Sequence, residues 1–158
     1  MRLLAPYALL YLLAIACAAG VATQSQAAQA PLEVRIGYLG YRPDPGPLLS
    51  NVIPEPSDAG LRGAELAITD SNSTGRFLNH SYALVSASVD SPEALLDAAN
   101  AQHAQGLRLF VVNAPADSLR QLSAALPDSL IFNAGSPDDR LRSTDCLSNV
   151  LHTLPSRA

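Results

Sequence analysis

Lysine and tryptophan are absent from the 158-residue sequence, and cysteine occurs only twice. Without lysine, the chain cannot form the Gly-Lys-Ser/Thr loop that cradles nucleotide phosphates. All of its basic residues are arginines, and the excess of acids gives a formal net charge of −4. This mildly acidic balance argues against nucleic acid as a partner, because nucleic-acid binding depends on clustered basic side chains.

Several catalytic signatures are also missing. The sequence has no Gly-x-Ser-x-Gly nucleophile elbow. The segment "IGYLGY" has two glycines, but no third glycine leads from it into a helix, so no dinucleotide site is expected. His80, His103 and His152 lie far apart and lack the spacing of metal ligands. We therefore expect no cofactor, no metal and no enzymatic activity.

The first part of the chain has the pattern of a secretory signal peptide. Arg2 is the only charge before Glu33, and residues 3–21 form an almost wholly apolar run that small residues follow. A basic start, an apolar run and small residues are the three parts of a cleaved leader. A membrane anchor is the alternative and needs about 20 apolar residues, but Pro6 interrupts this run.

Cleavage after Ala27 is the favoured position, which makes residues 1–27 the signal peptide and residues 28–158 the mature chain. The mature chain is then expected in the periplasm, without a stable membrane span. Cleavage after Ala30 and a lipidated form at Cys17 are the alternatives. Only Cys146 remains in the mature chain, so it cannot form an internal disulfide, and we expect it to be half-buried.

Strand and helix patterns alternate along the mature chain. A proline-rich segment over residues 41–58 predicts a long loop, because proline interrupts both helices and central strands. Strand patterns lie at residues 34–40, 79–88, 107–115 and 129–139, and helix patterns at residues 59–72, 91–106 and 116–126. This alternation predicts an α/β fold, a three-layer Rossmann-like parallel sheet with helices on both faces. The segment "NVLHTL" near the end is a candidate for one more short strand.

Polar and special residues mark the predicted helix ends. Asp58 is expected to cap the first helix, and Ser91 the second, with Pro92 in its first turn. Gly106 is expected to close the second helix with a positive φ. The cluster "DSNSTG" is expected to end the first helix, with Gly75 supplying the backbone freedom for the turn into the next strand.

Candidate ligand contacts follow from the predicted sheet. Ligands of parallel sheets bind beyond the carboxyl ends of the strands, near a change in strand order. The residues at these strand tips are Tyr41, Arg42, Asn113, Ala114, Pro115, Ala134, Gly135 and Ser136. Arg42 is the most distinctive of them, since a guanidinium at a cleft rim can hold a carboxylate with two hydrogen bonds. Ordinary loop and helix-capping roles are the alternative for each residue.

Residues 60–142 resemble the first lobe of the type I periplasmic binding proteins, the solute receptors of branched-chain amino acid ABC transporters. The similarity lies in the order of a turn at residues 72–76, an acid at Asp90, and loops at residues 113–117 and 132–138. The string "IGYLGYRPDPGP…DAGLRGAELAITDSNSTGRFL" is more narrowly similar to binding proteins encoded with PQQ-dependent alcohol dehydrogenase systems.

The resemblance implies a non-catalytic, extracytoplasmic solute-binding component of an ABC importer. Its partners would be a small-molecule solute and an ABC permease, with a link to PQQ-dependent alcohol oxidation. Members of the family close two lobes around the ligand. The length of this chain fits the N-terminal lobe alone, so the resemblance implies a fragment that binds ligand weakly or not at all by itself. The segment "NAPAD" lacks the run of hydroxyls with which amino-acid-binding members hold their ligand, so the ligand stays open.

Two alternatives come from other functional classes. A small secreted α/β hydrolase would need Ser88, Ser91 or Ser136 beside a histidine, and we expect no histidine near a strand tip. A non-catalytic interaction module would form a homodimer through the face that a second lobe would otherwise cover. The oligomeric state separates this module from a monomeric receptor lobe.

The leader prediction is tested by the mass of the secreted chain. We expect a mature protein that begins at Ala28 when the full sequence is expressed in a Gram-negative host, because Ala27 completes the small-residue cleavage pattern. Intact-mass spectrometry of the periplasmic fraction measures this directly. A chain that keeps its first 27 residues, or one that begins at a lipidated Cys17, contradicts the prediction.

Overall fold

The computed structural model describes residues 30–44, 46 and 56–157. The strands are β1 (Leu32–Tyr41), β2 (His80–Val89), β3 (Leu109–Asn113), β4 (Leu130–Asn133) and β5 (Val150–His152). The helices are α1 (Ala59–Gly75), α2 (Pro92–Ala104) and α3 (Ala116–Ala125), with 3₁₀ helices at Arg76–Leu78 and Asp139–Arg142. The predicted leader and most of the predicted proline-rich loop lie outside the described residues.

The described strands form one parallel sheet in the order β2-β1-β3-β4-β5. The longest register joins β1 to β2, from Leu32 opposite His80 to Tyr41 opposite Val89. Strand β1 also pairs with β3 on its other side. The chain therefore moves outward from β1 to β2 and then crosses back to β3. This reversal places a topological switch point between β1 and β3.

Helices cover both faces of the sheet, which confirms the predicted fold class. Successive strand residues point to opposite faces. One face carries Leu39, Phe110, Val112 and Ile131, which are fully buried in the main hydrophobic core. Helices α2 and α3 supply the other side of this core through Leu95, Ala99, Leu119 and Leu122. Burying a leucine-sized side chain contributes about 1.5–3 kcal/mol, so this layer supplies most of the hydrophobic stabilisation.

Helix α1 lies against the opposite face and is attached near its carboxyl end. The Asn72 side chain accepts a hydrogen bond from Tyr82 N and donates one to Tyr82 O, both at 2.8 Å. Strand β2 is at the edge of the described sheet, so these backbone groups would otherwise lack a partner. A Cβ on Gly75 would stand 2.8 Å from His80 O, so the helix approaches the strand closely there.

Helix α1 ends at Gly75, the last residue of the predicted cluster "DSNSTG" and three residues beyond the predicted helical pattern. The role predicted for Gly75 is wrong. Gly75 has an ordinary helical φ of −57°, and Asn79, with φ 57°, makes the left-handed turn instead. Gly75 is required by the close approach to His80 and not by backbone freedom.

The helix caps show two confirmed predictions and one correction. The Ser91 hydroxyl accepts a hydrogen bond from Ala94 N at 3.1 Å, and Gly106 has φ 90°. Asp58 occupies the N-cap position of α1, but its side chain makes no capping bond and instead accepts from Arg62 Nε at 2.9 Å. Cys146 is exposed, not half-buried as expected, because it lies in the loop before β5.

None of the helices among the described residues is long and apolar enough to cross a membrane.

Two glycines on different elements give a matched test of the packing. A Cβ on Gly37 would lie 2.6 Å from Phe110 Cδ1 and would also meet Gln102 Oε1, whereas a Cβ on Gly63 would meet no atom within 4 Å. We expect Gly37→Ala to lower the free energy of unfolding by about 2 kcal/mol through overpacking. We expect Gly63→Ala to raise it by about 0.5–1 kcal/mol, because alanine favours the helix.

Urea unfolding followed by circular dichroism measures both changes. Equal effects of the two substitutions would mean that Gly37 is not tightly enclosed between β3 and α2.

Candidate functional site

A cleft of about 680 Å³ opens at the carboxyl ends of β1, β3 and β4. It lies at the switch point, where parallel sheets of this kind usually bind ligands. The structure brings all eight predicted contact residues together in its lining: Tyr41, Arg42, Asn113, Ala114, Pro115, Ala134, Gly135 and Ser136. That these residues contact a ligand stays a prediction.

Five further residues line the cleft: Pro43, Ala59, Gly60, Ala116 and Pro137. Ala116 and Pro137 lie within the loops at residues 113–117 and 132–138 that the sequence indicated, although they were not among the predicted contacts. Pro43 follows the predicted tip of β1. Ala59 and Gly60 begin α1, more than fifteen residues after β1. The signal for them was topological, because a helix that follows a strand in a parallel sheet must begin at the same edge where that strand ends.

Asn133 fixes the wall of the cleft that follows β4. Its side chain is fully buried. The Oδ1 atom accepts hydrogen bonds from Gly135 N at 3.1 Å and Ser136 N at 2.9 Å. The Nδ2 atom donates to Ser136 O at 2.7 Å and to His152 Nδ1 at 2.9 Å. The strand-to-strand backbone hydrogen bonds end at this point, and the Asn133 amide provides hydrogen bonds to the loop in their place.

His152 lies at the end of β5, which corrects the expectation that no histidine would be near a strand tip. Its Nδ1 accepts from Asn133, so the ring supports the loop after β4. Among the described residues, no serine hydroxyl is hydrogen-bonded to a histidine ring. The same residues contain no group of three or more histidine, cysteine or acidic side chains placed to hold a metal ion.

Two walls of the cleft touch at Gly135. A Cβ on this residue would lie 2.6 Å from Ala114 N and 2.6 Å from Asn113 Oδ1. Only a glycine allows the loop after β4 to come so close to the turn after β3. The separation of these two walls is therefore set by backbone contact and not by flexible side chains.

The floor of the cleft contains a second close approach. A Cβ on Gly60 would lie 2.6 Å from the Tyr38 hydroxyl and would also meet Asn113 Nδ2. The Tyr38 side chain is only 3% exposed, and its hydroxyl accepts a long hydrogen bond of 3.5 Å from Asn113 Nδ2. Tyr38, Gly60 and Asn113 thus bring two hydrogen-bonding side chains to the place where α1 begins.

The acids beside the cleft form ion pairs with arginines. Hydrogen bonds from the Arg140 side chain and backbone hold the pKa of Asp138 below its usual range, so this carboxylate is charged at neutral pH. Arg120 Nη2 lies 3.7 Å from Asp138 and 2.8 Å from Asp145. Arg42 lines the cleft itself. The described lining therefore contributes a guanidinium as a donor and no carboxylate.

Two helices begin at the cleft without a side-chain cap. Among the described residues, neither Asp58 before α1 nor Pro115 before α3 gives a capping hydrogen bond. The amino end of a helix carries a partial positive charge from its unpaired N–H groups. Both helix starts add to the preference of the cleft for a hydrogen-bond acceptor.

A scan against protein-family models matched no family, and a search of the curated proteins gave no match. The relation to periplasmic binding proteins therefore stays a prediction from the sequence.

The Asn133 network gives a test of how the cleft wall is held. We expect Asn133→Ala to lower the free energy of unfolding by about 3 kcal/mol, because the buried partners of the amide lose their hydrogen bonds. Asn100→Ala is the matched control on the exposed side of α2 and should change stability by under ~1 kcal/mol.

Chemical denaturation measures both variants, and hydrogen exchange of Gly135 and Ser136 reports on the loop itself. Unchanged protection of these two amides in Asn133→Ala would contradict the role assigned to Asn133.

Proposed function

We propose that the chain is a solute-binding lobe, the extracytoplasmic binding component of an ABC-type importer. The observation that carries this proposal is the cleft at the switch point, which collects the ends of β1, β3 and β4. The cleft volume is within the range of about 300–1,000 Å³ that small-molecule sites usually have. A periplasmic location and a link to PQQ-dependent alcohol oxidation belong to the same proposal, and both rest on the sequence resemblance.

The chemistry of the lining favours holding a solute over transforming it. Among the described residues, the lining contains no aspartate, glutamate, histidine or cysteine. General acid–base catalysis depends mainly on these side chains, and a serine nucleophile such as Ser136 would need one of them as its base. The lining offers instead one guanidinium, an amide, two hydroxyls and the backbone of small residues and prolines. These groups can bind and orient a polar molecule.

The preferred solute has an oxygen acceptor as its head group. Arg42, the Asn113 amide and the starts of α1 and α3 are all hydrogen-bond donors or positive partial charges at the cleft. A carboxylate satisfies such donors best, because charge-assisted hydrogen bonds are about twice as strong as neutral ones. An ammonium group would find no matching carboxylate in the described lining.

Affinity is expected to be weak for this chain alone. A single lobe leaves the polar contacts in competition with water, which reduces the net value of each hydrogen bond to about 1 kcal/mol. A few such contacts correspond to a dissociation constant in the millimolar range, about −4 kcal/mol. The experiment must therefore detect weak binding.

Protein-detected NMR provides this sensitivity. We expect ¹H–¹⁵N spectra of the chain, expressed from its full coding sequence, to shift at Asn113, Gly135 and Ser136 during titration with small carboxylic acids. Arg42→Gln should weaken carboxylate binding by about tenfold through loss of the charged donor. Arg76→Gln is the matched control at the far end of α1, where the guanidinium lies over the Phe77 ring.

Shifts confined to other surfaces would contradict the proposed site. Covalent conversion of any titrated compound would favour the hydrolase alternative. Micromolar binding of a carboxylate without an apolar tail, such as acetate, would contradict the expectation for a single lobe.

A further inference from the structure

A second cavity of about 330 Å³ lies between α1 and the sheet. Its walls are mainly apolar, with Ile36, Leu84 and Val111 on the strands and Ala64 and Ile68 on the helix. Protein interiors are normally packed without voids larger than a water molecule. This cavity is not such an enclosed void, because Ala67 and Ser71 on its helix side are exposed and it opens to solvent.

The cavity has a geometric cause in α1. The helix comes close to the sheet at Gly60 and again at Gly75, where added Cβ atoms would collide with neighbouring atoms. Between these two contacts, the helix presents the small side chains of Ala64, Ala67 and Ser71 to the cavity. Small side chains cannot fill the space that the two glycines define, so the space stays open.

The cavity meets the cleft at a shared boundary. Gly60, Asn113 and Ala134 line both spaces. The polar cleft and the apolar cavity therefore adjoin at these three residues. A molecule that binds across this boundary would place a polar end in the cleft and an apolar end under α1.

The Tyr38 hydroxyl stands at this boundary with a proton to donate. Tyr38 lines the cavity and is only 3% exposed. Its hydroxyl accepts from Asn113 Nδ2 at 3.5 Å and donates to no acceptor among the described residues. Nearly all buried polar groups have hydrogen-bond partners. The Tyr38 hydroxyl therefore has one partner in the protein and can still donate its proton to an acceptor atom of a bound molecule.

We propose that the site takes a linear aliphatic molecule with an oxygen head group, such as a medium-chain monocarboxylate. The head lies in the cleft and accepts a hydrogen bond from the Tyr38 hydroxyl, and the tail occupies the cavity under α1. This inference rests on the proposed solute-binding function and adds the chemical class of the solute. The volume of the cavity corresponds to roughly eleven methylenes at about 30 Å³ each, and a tail that occupies about three quarters of this space has roughly eight.

The test is a chain-length series. The full chain is titrated with acetate, butyrate, hexanoate, octanoate and dodecanoate, with binding followed by NMR shifts. We expect affinity to rise by about fourfold per added methylene up to roughly octanoate and then to level off as the cavity fills. Hexylamine should bind at least tenfold more weakly than hexanoate, because the Tyr38 proton cannot be donated to an ammonium group.

Two substitutions separate the tail from the head. Ala64→Leu fills the cavity and should remove the dependence on chain length while acetate binding stays the same. Ala101→Leu is the matched control at an exposed position of α2 and should leave the series unchanged. Tyr38→Phe keeps the ring and should weaken every acid of the series by about fivefold. If Ala64→Leu does not fold, Ile68→Phe fills the same cavity from the next turn.

The outcomes distinguish this inference from the proposed function. Cleft shifts with acetate but no gain from longer tails would overturn the tail site and leave the proposed function standing. A chain-length gain that survives both Ala64→Leu and Ile68→Phe would also overturn it, and equal binding of hexylamine and hexanoate would overturn the head assignment. No shifts from any acid would remove both proposals.

Discussion

The reversal of strand order at β1 is the constraint on which the rest of the molecule depends. Strand β1 is hydrogen-bonded to β2 on one side and to β3 on the other, and all three strands run the same way. The helices that follow β1 and β3 must therefore begin at one edge of the sheet but on opposite faces. Their starts diverge, and the cleft is the space between them. The cleft is created by the path of the backbone and not by any single side chain.

The two faces of the sheet perform different tasks. The face beneath α2 and α3 is densely packed with leucine, valine and phenylalanine, which gives the sheet its stability. The face beneath α1 is held at a few points, through Asn72 and the two close glycines, and stays partly open. A protein can keep an apolar cavity only when another layer supplies the stability that the cavity lacks. The stability supplied by the densely packed layer therefore compensates for the loose packing beneath α1.

The sequence predicted most of the architecture because its signals are local. Apolar runs identify the strands, and Ser91, Pro92 and Gly106 mark both ends of α2 through backbone chemistry that short segments already contain. The same logic placed the strand tips on one edge, which is why all eight predicted contact residues lie in one cleft. In a parallel sheet, residues that follow different strands are far apart in sequence but lie at the same edge of the sheet.

Features that depend on long-range contacts were not predictable in this way. The Asn72 side chain is hydrogen-bonded to the edge of β2, ten residues further along the chain, and no local pattern indicates this contact. His152 reaches Asn133 only because β5 pairs with β4. The cavity under α1 results from a distance between two elements, and no pattern of residue types encodes that distance. The sequence around Tyr38 is typical of a core aromatic residue. Only the fold brings its hydroxyl close to Gly60 and Asn113.

Helix α1 approaches its neighbours closely at two points, one near each end of the helix. Gly60 and Gly75 are fifteen positions apart, a span of roughly 22 Å along the axis, and both touch neighbouring strands or their turns. The distance between α1 and the sheet is therefore fixed before any ligand binds. A molecule that enters does not have to lift the helix, so little conformational entropy is lost on association. Burial of an apolar tail in this preformed space is expected to carry a negative heat-capacity change.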